Sequence, residues 1–156
     1  MSTRFLAISA LGLWLVTVAA AVFMFVEGQT AKGTDGRTAI ILNQEEKDLV
    51  LTEMRTMLGS VQGVVAGLSE ENLNRVRESA KASGMAIAGA VPPSLMAKLP
   101  FEFKQMGMGV HRGFDEISVA VEQQETPDMI LMRLGEQVSS CVACHATYQL
   151  QVENKK

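Results

Sequence analysis

The chain has 156 residues and a formal net charge of −3, so it holds one modest domain beyond any targeting segment and lacks the basic surface of a nucleic-acid binder. Its two cysteines lie three apart, too few for a disulfide framework or a four-cysteine zinc site. Ten methionines against one Trp and one Tyr suit an irregular, helical apolar interior.

Phe5 to Val26 is an uncharged apolar run. As a helix it extends about 33 Å at 1.5 Å per residue, enough to cross a hydrocarbon core of about 30 Å. Two readings compete for residues 1–26. One is a retained transmembrane signal anchor; the other is a signal peptide cut after Ala19-Ala20-Ala21. Cleavage there leaves Val22-Phe23-Met24-Phe25-Val26 as an exposed apolar start, which favours the anchor. Arg4 on one side is balanced by Lys32 and Arg37 on the other, so charge alone does not orient the helix. Residues 27–42 are rich in Gly, Thr and charge and are expected to form a flexible linker. Such a linker raises the effective concentration of a domain near a partner in the same membrane.

Residues 43–156 show helical periodicity and no convincing strand. Asn43 can cap the first helix, with Glu45, Glu46 and Asp48 at its positive end. Val50, Met54, Met57, Val61, Val64 and Leu68 follow in steps of three and four. The second helix is expected to start at Ser69 and to stop before Pro92-Pro93. The third carries Phe103, Met106, Val110, Phe114, Ile117 and Val121 on one face. Its Gly107, Gly109 and Gly113 indicate either close helix packing or space for a bulky cofactor. The fourth opens on Thr126-Pro127-Asp128, and its seam is expected to run from Leu131 through Leu134, Val138, Cys141, His145 and Tyr148 to Val152. No single helix can bury its own stripe. The expected fold is therefore all-α: an antiparallel up-down-up-down four-helix bundle preceded by one N-terminal transmembrane helix.

Cys141-Val142-Ala143-Cys144-His145 is C-x-x-C-H, the pattern that attaches one covalent haem c. Two thiols three apart on a helical turn meet the two vinyl groups of one porphyrin, and the adjacent imidazole reaches the iron from the same side. A redox C-x-x-C ordinarily sits at a helix start in a βαβ setting, whereas this motif lies near the end of a helix. Zinc needs further ligands, and His111 is the only other histidine.

With the motif near the C-terminus of four helical segments, residues 43–152 resemble the class II c-type cytochromes, the cytochrome c′ and c-556 group. That resemblance implies Cys141 and Cys144 as thioether sites, His145 as proximal ligand, and a homodimer as one quaternary option. Gln149 stands where the family often has a basic residue after Tyr148. The Met-ligated members often carry Arg four residues before the ligand, but four residues after Arg55 stands Gly59, so the resemblance does not assign the sixth ligand. In an alternating bundle the end of the fourth helix lies beside the start of the first. Met54 is then the candidate sixth ligand, Met57 a second choice and His111 a remote third; the alternative is that both methionines are core residues and that His111 is a hydrogen-bonding or packing residue. Arg55 and Arg112 are candidate partners of the haem propionates, or plain surface arginines.

Two functions follow. Six-coordinate iron makes an electron carrier on the outer face of the cytoplasmic membrane, single-pass and periplasmic, serving a redox protein partner such as a membrane complex. Five-coordinate iron makes a binder of nitric oxide or another diatomic gas. A haem-bearing assembly subunit is a third option. No catalytic triad, phosphate loop or paired-carboxylate site indicates an enzyme.

Overall fold

The computed structural model describes residues 3–89 and 91–153. The outer ends of the N-terminal segment and of the C-terminal domain, residues 1–2 and 154–156, lie outside the described residues. In chain order come α1 (Thr3–Glu27), β1 (Thr30–Lys32), β2 (Thr38–Leu42), α2 (Gln44–Ser69), α3 (Leu73–Lys81), α4 (Met85–Ala88), α5 (Pro93–Lys98), α6 (Phe101–Glu122), α7 (Pro127–Thr147) and β3 (Tyr148–Val152). The protein is mostly helical. Its α1 is long and apolar enough to cross a membrane: the span Leu6–Glu27 has a mean hydropathy of 2.3, and none of it is buried by the rest of the chain.

Local chemistry explains where the long helices start. Asn43 caps α2 through a reciprocal box: its Oδ1 accepts from the Glu46 N–H at 2.8 Å, and its own N–H donates to the Glu46 carboxylate at 2.9 Å. Thr126 caps α7, with Pro127 at the first helical position. The second helix starts later than expected. Ser69 is the last residue of α2, Glu71 takes a left-handed backbone (φ 53°), and Asn72 caps α3 by accepting from Arg75 N–H at 3.0 Å. The stretch from Ser83 to Pro100, expected as a fading helix and a loop, holds the short α4 and α5.

Two expectations need correction. Residues 27–42 are not a flexible linker: β1 and β2 form an antiparallel hairpin there. The fourth helix does not run to Val152 either. It ends at Thr147, and Tyr148–Val152 pairs in parallel with β2, Tyr148 opposite Thr38 and Val152 opposite Leu42. The residues at 148, 150 and 152 also alternate with period two, and that pattern prevails once a strand partner is present.

Packing proceeds from α2 to α3, from α3 to α6, and from α6 to α7, whereas α2 and α7 touch only sparsely. Val64, Val76, Val110, Phe114, Ile117, Ile130 and Leu134 form one core. Ile40, Leu42, Val50, Leu95, Leu99, Phe103 and Tyr148 form a second, under the sheet. Close approaches fix the helix pairs. A Cβ on Gly67 would run into Val76, and one on Gly113 into the Gln137 amide. Gly113 therefore serves close packing, while Gly107 and Gly109 face open space.

Candidate cofactor site

The sparse contact between α2 and α7 leaves a cleft of about 210 Å³ at the end of α7 nearest the sheet. Its walls are Arg37, Lys47, Leu51, Met54, Phe103, Cys144, His145, Tyr148, Gln149 and Leu150. The Phe103 and Tyr148 rings, edge to face with centroids 5.4 Å apart, brace it from below.

Of the residues singled out from sequence, Cys144, His145 and Met54 come together on this cleft. His145 is exposed, and Cys144 and Met54 pack partly against the second core. Cys141 lies one turn earlier, half-buried, with its Sγ 3.7 Å from the Gln137 carbonyl. Both thiols are free, and burial pushes both above the ordinary cysteine range; the neighbouring Cys141 adds to the shift at Cys144. A working thiol–disulfide pair needs the opposite shift, toward the thiolate. Among the described residues no three His, Cys, Asp or Glu side chains are grouped to hold a metal ion, so the donors for zinc do not converge. One thiol pair, one imidazole and one facing thioether do suit haem c, which draws only one or two iron ligands from the protein.

The remaining candidates lie elsewhere. Met57 packs against the first core and lines a separate cavity with Glu53, Ser83 and His111. His111 is buried and doubly engaged: Nδ1 is 2.8 Å from the Ser83 carbonyl oxygen, and Nε2 is 3.2 Å from the Glu53 carboxylate. A carbonyl and a carboxylate can only accept, so the pair favours the form with a proton on both ring nitrogens, which has no lone pair for a metal. The Glu53 hydrogen bond raises the His111 pKa against the opposing effect of burial. Arg55 is exposed and bonds Thr52 Oγ1 at 2.9 Å, and Arg112 lies on the α6–α7 surface beside Glu116 and Arg133; neither lines the cleft.

The basic groups on the cleft are Arg37 and Lys47. Arg37 Nη1 donates to the His145 carbonyl at 3.1 Å and to the Tyr148 carbonyl at 3.3 Å, while Asp35 pairs with the same guanidinium at 2.6 Å. It thus caps the C-terminal end of α7 beside the C-x-x-C-H motif. Nothing local in the sequence signals this role, because Arg37 and His145 belong to opposite ends of the fold. No family model matches the chain, and no curated protein or solved structure matches it either.

Proposed function

We propose that this protein is a membrane-anchored, monohaem c-type cytochrome that transfers electrons to and from a redox protein on the outer side of the cytoplasmic membrane. The observation that carries this reading is the C-x-x-C-H motif at the end of α7, with His145 and Met54 opening onto one cleft. When bound, haem c supplies a one-electron couple at its iron. Cys141 and Cys144 would hold the porphyrin through thioethers, and His145 would supply a nitrogen ligand to its iron. Met54 is the candidate second ligand, a soft thioether donor that would raise the potential. Leu51, Phe103 and Leu150 exclude water, while Arg37 and Lys47 replace Arg55 and Arg112 as partners for the propionates.

A cleft of about 210 Å³ is smaller than the roughly 300–1,000 Å³ of pockets that enclose a whole ligand. A porphyrin held there would keep an edge outside the cleft, which suits a carrier. The consecutive packing of α2, α3, α6 and α7 supports an up-down-up-down bundle like that of the class II cytochromes. Assembly of haem c outside the cytoplasm puts the domain in the periplasm.

Visible spectra of the oxidised and reduced protein, with and without carbon monoxide, test the reading. A low-spin reduced spectrum indifferent to carbon monoxide is expected. Met54→Ala should convert it to a high-spin, carbon monoxide-sensitive form, while Met57→Ala should leave it unaltered. A wild-type spectrum that is high-spin and shifts with carbon monoxide would establish the gas-binding alternative instead. Haem that separates in acidified organic solvent would rule out thioether attachment.

A further inference from the structure

We propose that the corner between α5 and α6 rests on the lipid surface, with Phe101 in the headgroup layer, so that the domain stands at a fixed angle to the membrane. This rests on α1 being a retained membrane span and does not depend on the cofactor.

The chain leaves α1 without slack. Gly28 N–H donates to the Met24 carbonyl at 3.0 Å, closing the helix, and Gly28 takes a left-handed backbone (φ +65°). A Cβ at Gly28 would run into the backbone of Lys98, Leu99 and Pro100. The next residue is already locked into the domain: Gln29 N–H donates to the Lys98 carbonyl at 2.7 Å, and its own carbonyl accepts from Ile41 N–H at 2.8 Å.

A second fastening comes from α6. Lys104 is buried, and its Nζ donates to the Phe25 carbonyl at 2.9 Å and the Met96 carbonyl at 3.4 Å. The same ammonium lies 3.5 Å from the centroid of the Phe25 ring. A cation on the last-turn carbonyls of α1 complements the negative end of that helix. These contacts form only if α1 meets α6 at one angle.

Depth follows from the same residues. The apolar span ends at Glu27, so Phe25 lies in its last turn, at the membrane boundary. The Phe101 ring is 6.3 Å from the Phe25 ring and therefore lies near the same level. It is 40% exposed at the start of α6, an aromatic edge that the described residues leave partly uncovered at the depth where Phe side chains insert into the interface. The bilayer around α1 is the surface already adjacent to it. The cofactor cleft lies close by, because Phe103, two residues on, forms part of its wall. That cleft is thereby held near the membrane, within reach of a partner embedded in it.

Photocrosslinking tests the proposal in the full-length protein reconstituted into vesicles of phosphatidylcholine and phosphatidylglycerol. Benzoylphenylalanine is placed singly at Phe101, at Phe23 on the exposed side of α1, and at Met132 on the exposed side of α7. After irradiation, lipid adducts are measured by mass spectrometry. Position 101 should give lipid adducts at a yield comparable with position 23 and severalfold above position 132. Adducts at 23 but only background at 101 would overturn the docking and leave the span standing. Background at 23 as well would overturn both. Adducts at 101 to protein instead of lipid would mean that another chain covers this corner, and would also overturn the proposal.

Discussion

The Glu53–His111 pair offers a sharp test of the buried polar chemistry. Glu53→Gln preserves size and removes the charge that holds the second proton on His111. A hydrogen bond to a charged group contributes about 1.5–3 kcal/mol. The Glu53 side chain is 22% exposed, so solvent screening brings the expected loss to about 1–2 kcal/mol. For a chain of this length that lowers the melting temperature by about 2–8 °C. The loss should depend on pH. Glu53, and more weakly Asp115, raise the His111 pKa in the folded protein above its ordinary 6.5. Stability from such a group is complete below the unfolded value and disappears as pH climbs through the folded one. The gap between wild type and Glu53→Gln should therefore be widest at about pH 6 and narrow toward about pH 9. Thermal melts of the full-length protein in detergent, followed by far-ultraviolet circular dichroism, measure it. A gap that stays flat with pH, or widens in alkali, would refute a protonated His111 bridging Ser83 and Glu53.

Other outcomes follow from packing and capping. Phe114 is fully buried in the first core, and Phe114→Ala should cost about 3–5 kcal/mol, read as a large fall in the urea midpoint; a loss under about 1 kcal/mol would show that this core is not closely packed. Arg37→Gln removes the two donors to the His145 and Tyr148 carbonyls at a partly exposed site, for about 0.5–1 kcal/mol. Its signature should be local: faster hydrogen exchange in the last turn of α7 and in β3, and no change there would argue against the cap. Gly28→Ala combines left-handed strain with a collision against Lys98, Leu99 and Pro100, so protease cleavage between Gln29 and Lys32 should accelerate, and an unchanged cleavage rate would contradict the tight junction.

The long helices were legible because their signals are local. Asn43 and Thr126 sit at caps, and the seams of Met54–Val64 and Phe103–Val121 repeat every three to four residues whatever surrounds them. The sheet was not. Thr38–Leu42 finds its strand partner at Tyr148–Val152, and neither stretch reveals that pairing within its own window. The Gly- and Thr-rich composition before it matches a loose linker equally well, and only Gly28 and the Gly33–Arg37 turn separate the two. The same long-range contact hid Arg37. Arg55 and Arg112 are candidates by their place along helices, but they lie on surfaces away from the cleft. Met54 and Met57 share a helical face in projection, and three residues of rotation are enough to send them into different cavities.

The parallel pairing of β2 with β3 also bears on the order of events during folding. The C-x-x-C-H motif lies just before β3, so during synthesis the sheet can close only after both thiols and the histidine are already in the chain. Until then Arg37 has no helix end to cap, and the cleft lacks its Tyr148 and Leu150 walls. Closing so long a loop is slow relative to forming the helices. In the proposed cytochrome, that delay would leave Cys141 and Cys144 open to haem attachment, and strand closure would then act as a latch behind the group.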